Sequence, residues 1–124
     1  MKKSVLVFTL LSMTTGVSFA GNFSETCESM SMQGSRLMAE CRKRDQSSKP
    51  TSLNLDKAIG NINGVLSWNS GDFSKSCSNI VLDGATLTAT CKKMDGTANQ
   101  TSLNLDERID NTNGVLKFDG NKSK

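Results

Sequence analysis

From residue 86 to 92 the chain alternates strictly, with apolar Leu87, Ala89 and Cys91 set between polar Thr86, Thr88, Thr90 and Lys92. Leu53 and Leu55 alternate in the same way with Ser52, Asn54 and Asp56. A period of two puts successive side chains on opposite faces of an extended chain, so both stretches predict β-strands with one buried face. Asn63-Gly64 and Asn113-Gly114 each run into a short apolar segment, Val65-Leu66 and Val115-Leu116. Asparagine and glycine tolerate positive φ, so the pair predicts tight hairpin turns. Lys57-Ala58-Ile59 has room for one helical turn and no more. The pattern predicts an all-β domain with short helical turns.

The pattern occurs twice. Residues 23–68 align with 73–118 at an offset of 50 without a gap, and 21 of the 46 positions are identical. Thr-Ser-Leu-Asn-Leu-Asp recurs at 51–56 and 101–106, and Asn-Gly-Val-Leu at 63–66 and 113–116. Stacked repeat architectures need about three or more copies to bury a continuous core. A 46-residue unit is near the size below which a domain seldom stands alone, and the connector Asn69-Ser70-Gly71-Asp72 is only four residues long. Two copies so joined predict one pseudo-twofold domain whose halves share a core.

The amino terminus is a different kind of segment. Met1-Lys2-Lys3 precedes an apolar run from Val5 to Leu11, and the small residues that follow end in Ser18-Phe19-Ala20. These features predict a secretory signal peptide over residues 1–20, cut before Gly21. A membrane anchor would need roughly 20 apolar residues, so no membrane span is expected in the mature form. The expected destination is secreted or periplasmic, and the short Lys-Lys leader has a bacterial look. Residues 21–124 then form a single domain with a short C-terminal tail.

Removing the leader changes the charge. The chain of 124 residues carries 15 basic and 12 acidic side chains, and loss of two lysines with the leader leaves a 104-residue mature form at net +1. That balance excludes a polycationic nucleic-acid binder. The sequence has no histidine, which excludes histidine catalysis and histidine metal sites. Its four cysteines lack the close pairs of a zinc site, and no cofactor is expected. An even cysteine count in an exported chain points to disulfides. Three connectivities are open, and the duplication favours Cys27 with Cys41 and Cys77 with Cys91, since each copied unit would carry its own bridge. Closing such a loop is worth about 3 kcal/mol in the chain-entropy view.

Together these residues resemble the cyanovirin-N homology family of carbohydrate-binding proteins. The likeness spans about Asn22 to Asp119. It is carried by Phe23-Ser24-x-Thr26-Cys27, Gln33-Gly34-Ser35, Ser52-Leu53-Asn54-Leu55, Ile59-x-Asn61-x-Asn63-Gly64, Trp68, Phe73-x3-Cys77, Gly84, Ile109-x-Asn111-x-Asn113-Gly114 and Leu116-Lys117-Phe118. The resemblance implies a pseudo-symmetric domain in which each half has a three-stranded sheet and a hairpin, with strands exchanged between the repeats. It also implies a metal-free lectin whose partners are glycans or glycoproteins, mannose-type and high-mannose above all.

The family's first pocket maps onto Asn22, Glu25, Thr26, Arg42, Arg44, Asp110, Asn111, Thr112 and Asn113. Its second maps onto Gly60, Asn61, Ile62, Asn63, Gly71, Asp72, Lys75, Ser76, Lys92, Lys93, Met94 and Gly96. Asparagine, aspartate, threonine and backbone amides suit the paired hydroxyls of a pyranose, although Asn-x-Asn-Gly also has plain turn chemistry. Departures from the family's best-known member weaken the second pocket. Gly60 and Lys75 stand where it has acidic residues and Met94 where it has an arginine, while in the first pocket Arg42 replaces a glutamate. Lysine donates but cannot accept, so Lys75 reverses the polarity of its position. The first pocket is the expected binder.

Other readings stay beside this one. Arg42-Lys43-Arg44 and Lys92-Lys93 could meet an acidic glycan, but Asp45 and Asp95 follow them directly and favour ordinary solvated strand ends. Trp68 could stack on a sugar, but the resemblance places it near the hinge and core. A disulfide-stapled extracytoplasmic interaction module without sugar affinity is the main alternative function. An enzyme is the weakest, since Asp56 and Asp106 sit where capping residues for the following turn would be expected. Asn22, Asn99 and Asn121 head acceptor sequons that matter only in a glycosylating host. The connector has a glycine and no proline and can fold back. The mature protein is therefore expected to be mostly monomeric. Size-exclusion chromatography with light scattering at micromolar concentration checks this, and a dominant swapped dimer would refute it.

Overall fold

The structure is a computed structural model that describes residues 22–120. The expected leader and the sequon at Asn121 lie outside the described residues. Ten strands follow one another in two equivalent sets of five. The first set is β1 (Cys27–Gln33), β2 (Arg36–Arg42), β3 (Ser48–Asn54), β4 (Ile59–Ile62) and β5 (Val65–Trp68). The second is β6 (Cys77–Asp83), β7 (Thr86–Lys92), β8 (Ala98–Asn104), β9 (Ile109–Thr112) and β10 (Val115–Phe118). Single 3-10 turns lie at Phe23–Glu25, Leu55–Lys57, Phe73–Lys75 and Leu105–Glu107.

Each repeat gives an antiparallel sheet, β1-β2-β3 or β6-β7-β8, and a separate hairpin, β4-β5 or β9-β10. Alternation along β7 produces the expected burial, with Leu87, Ala89 and Cys91 inside. At the hairpin tips Asn63 has φ 50° with Gly64 at 88°, and Asn113 has 49° with Gly114 at 89°, the left-handed pair that a two-residue turn requires. The helical turn falls at Leu55–Lys57, two residues ahead of the expected Lys57-Ala58-Ile59. Asn54 begins it by accepting from the Asp56 amide at 3.0 Å, which frees Ile59 to open β4.

The hairpins cross over. Leu66 of β5 donates its amide to Thr101 Oγ1 of β8, and Leu116 of β10 to Thr51 Oγ1 of β3, both at 3.2 Å. Each repeat's sheet is thus completed by the other repeat's hairpin, the strand exchange that the resemblance implied. Asp56 and Asp106 secure the crossing. Asp106 Oδ1 accepts from the Ser24 amide and Asp56 Oδ1 from the Ser74 amide, both at 2.9 Å, and each carboxylate also accepts from that serine's hydroxyl. These carboxylates cap the opposite repeat's 3-10 turn, not their own following turn, because Asn54 and Asn104 already serve there.

The core is built from pairs fifty residues apart. Phe23 with Phe73, Leu37 with Leu87, Leu55 with Leu105 and Ile59 with Ile109 are fully buried. The disulfides Cys27–Cys41 and Cys77–Cys91 pin β1 to β2 and β6 to β7. Trp68 packs beside this core, its ring stacked on Phe118 with centroids 5.6 Å apart. Its Nε1 donates to Glu107 Oε1 at 3.0 Å, so the ring serves the junction between halves.

The connector folds back over β4. Asp72 donates its amide to the Asp56 carbonyl at 2.8 Å, and Asp72 bridges to Gly60. A Cβ at Gly60 would lie 2.1 Å from Ser70 Oγ and 2.7 Å from the Gly71 backbone. Gly60 is therefore a packing residue under the connector, and the carboxylate that the resemblance implied as lost from this position has no space here. Gly60→Ala is expected to lower stability by about 1–3 kcal/mol through overpacking against backbone, read as the shift in the urea midpoint.

Candidate functional site

Crossing the hairpins brings the tip of β9-β10 against the end of β2. Asn111 is the central brace. Its Nδ2 donates to Thr26 Oγ1 at 2.8 Å and to the Arg42 carbonyl at 2.9 Å, and its Oδ1 accepts from the Gly114 amide at 2.7 Å. Asn113 Oδ1 accepts from the Arg44 amide at 2.8 Å. The segment after β2 is equally fixed. Arg42 donates to the Thr26 carbonyl at 2.9 Å, Lys43 to the Ser47 carbonyl at 2.7 Å and Gln46 to the Lys43 carbonyl at 3.0 Å.

Between these segments opens a cleft of about 460 Å³ lined by Thr26, Arg42, Lys43, Arg44, Gln46, Asn111, Thr112 and Asn113. Six of the nine expected residues of the first pocket therefore meet. Asn22, Glu25 and Asp110 do not line the cleft. Asn22 instead starts the Phe23–Glu25 turn at φ 60° and donates to the Asp106 carbonyl. Glu25 sits exposed in that turn, and Asp110 lies opposite Lys117 in the hairpin. Lys43 and Gln46 line the cleft without having been expected there. Lys43 was legible only as part of a charge run. Gln46 reaches the site through a left-handed turn, φ 77°, that its residue type does not announce.

Asp45 shapes that turn. Its Oδ1 accepts from Ser47 Oγ at 2.6 Å and from the Ser47 amide at 3.0 Å. These bonds, helped by the charge of Lys43, hold its carboxyl below the ordinary carboxylate range. A depressed native value means that the carboxylate's contribution is complete above the usual range and lost as pH falls through the lowered one.

The second site repeats the bracing. Asn61 Nδ2 donates to Ser76 Oγ and to the Lys92 carbonyl, both at 2.8 Å, its Oδ1 accepts from the Gly64 amide at 2.7 Å, and Asn63 Oδ1 accepts from the Met94 amide at 2.8 Å. Here the surroundings differ. Lys75 lies 3.6 Å from Asp72, so two of the expected groups neutralise each other. Ile62 is 54% exposed and Met94 89% exposed. Lys93 lays its stem on Gly64. Gly71 belongs to the connector, and Gly96 turns the loop after Met94 at φ 89°. A separate groove of about 350 Å³ on the first sheet, between Met38, Glu40 and Pro50, contains none of the expected residues.

A family model described as the CVNH domain matches residues 23–117. The chain belongs to the CVNH family. Among solved structures, the CVNH protein of Gibberella zeae is 39% identical, with 79% of this chain and 97% of that chain covered and a TM-score of 0.73. Microvirin, solved as a mannobiose complex, is 36% identical over 80% of this chain and 99% of its own, with a TM-score of 0.71. A MoCVNH3 variant solved with (N-GlcNAc)4 has a TM-score of 0.79 over 83% of this chain and 100% of its own, and at 23% identity shares the fold.

All four asparagine side chains thus brace the two hairpin tips. Asn111→Ala leaves the Arg42 carbonyl and the Gly114 amide without their partner and is expected to cost about 1–3 kcal/mol. Asn61→Ala is expected to cost a similar amount. Urea unfolding of both variants checks the pair, and a neutral result at Asn111 would show that the hairpin docks without this brace.

Proposed function

We propose that the protein is a secreted lectin for mannose-type glycans, high-mannose glycans foremost, that binds at the first site without a metal and without altering its ligand. The observation that carries this reading is the cleft formed by Thr26, Arg44 and the 111–113 hairpin tip, set on backbone that is fixed by side-chain hydrogen bonds. Vicinal hydroxyls of a pyranose need donors and acceptors held at fixed spacing. The cleft offers them in the Thr112 hydroxyl, the Asn113 amide, the Gln46 amide and the arginine forks. A sugar epimer with one hydroxyl misplaced would leave a site group unpaired, at a cost of about 1–3 kcal/mol. Three cations in the lining oppose a bound metal ion electrostatically. The structural likeness to microvirin, solved with mannobiose, supports the ligand class.

The second site is read as weakened. Lys75 and Asp72 pair with each other, and Met94 presents a thioether where a polar group would be needed. The exposed apolar residues there favour a second reading, an extracytoplasmic interaction module that has lost sugar affinity. A glycan array on the oxidised protein separates the two, since a blank array would leave only the module.

Titrating mannobiose into the 15N-labelled mature protein tests the main reading. Amide shifts are expected at Thr26, Arg44 and Asn111 to Asn113. Shifts confined to Asn61, Asn63 and Asp72 would place binding at the wrong end.

A further inference from the structure

The two sites share a scaffold and differ in charge. At the first, Arg42, Lys43 and Arg44 line the cleft. Lys49 lies beside the lining without being part of it, its stem and that of Lys43 both against Gly114. At the second, the equivalents of Arg44 and Lys49 are Met94 and Asn99. Asn99 donates its amide to the Gly64 carbonyl at 2.7 Å, so a neutral brace stands where the first site has a cation.

The backbones of Arg42, Lys43 and Arg44 are all engaged, with Thr26, Asn111, Ser47, Gln46 and Asn113. Their charged ends are not. Among the described residues, none of the four cations lies in an ion pair. Asp45 follows the basic run in sequence, which made ordinary solvated strand ends the simpler reading. In the structure its Oδ1 is turned to Ser47, with Lys43 the cation it acts on from a distance. Three cations in the lining of one braced concavity, with Lys49 beside it, suit an anion, since charge-assisted bonds from arginine are the stronger and more directional kind.

We infer that the glycan taken by the first site carries an anionic group, a phosphate or a carboxylate, on or beside its terminal sugar. This rests on the reading of the cleft as a sugar site. Hydroxyls of the sugar engage the 111–113 tip while the anion meets Arg42, Arg44 and the two lysines. The second site has no such set and should not discriminate.

Isothermal titration with mannobiose, a phosphorylated mannobiose, a mannuronic acid disaccharide and inorganic phosphate tests this at low salt and at about 0.5 M salt, where the Debye length shrinks to a few ångströms. At least one acidic disaccharide is expected to bind on the order of ten-fold or more tighter than mannobiose at low salt, and high salt should erase most of that lead. The two acidic arms tell phosphate from carboxylate. In the double variant Arg42→Gln with Arg44→Gln the ratio of acidic to neutral affinity should fall towards one. If mannobiose binds and neither acidic sugar binds tighter, this inference fails and the lectin reading stands. If no sugar binds, both fail. Inorganic phosphate binding as tightly as the phosphorylated sugar would also overturn it, because the sugar would then contribute nothing.

Discussion

Neither repeat can close its own core, and that constraint governs the molecule. A unit of 46 residues has too little interior to stand alone, so each hairpin leaves its own sheet and docks on the other. Leu66 and Leu116 are buried at those docking points, and their amides reach threonines of the opposite repeat. Asp56 and Asp106 fasten the turns across the same boundary. The disulfides staple each sheet internally and leave the joining of halves to packing and hydrogen bonds.

The candidate site is a product of that exchange. Thr26 and Asn111 are 85 residues apart in the chain and 2.8 Å apart in space. No single repeat contains a complete cleft. Side-chain amides brace the backbone, and the side chains of Arg42, Arg44, Thr112 and Asn113 line the cleft exposed to solvent. The same arrangement at the other end carries Met94, Asn99 and a Lys75–Asp72 pair. Duplication has kept the scaffold twice and let the surface chemistry diverge.

Much of the fold was legible because it depends on local periodicity and on copying. Alternation gave β7 its buried face, Asn-Gly gave the hairpin tips, and the offset of 50 gave the paired core. What was not legible depends on contacts between distant segments. Nothing near Asp106 in sequence points to Ser24, which lies 82 residues away. Gly60 looked like a lost acidic ligand until the connector was seen lying on it. Gln46 reaches the cleft through a left-handed turn, which composition cannot reveal. Of the first-pocket residues inferred from family likeness, Asn22, Glu25 and Asp110 do not line the cleft, and Asn22 is engaged instead with the Asp106 carbonyl of the other repeat.

In the proposed lectin the ligand sits where the two repeats meet. A structure of the mature protein with a bound α-mannose disaccharide tests it most directly. A sugar is expected between residues 42–46 and the 111–113 tip, in contact with both. A sugar found in the groove beside Met38, Glu40 and Pro50, or touching residues of one repeat only, would contradict it.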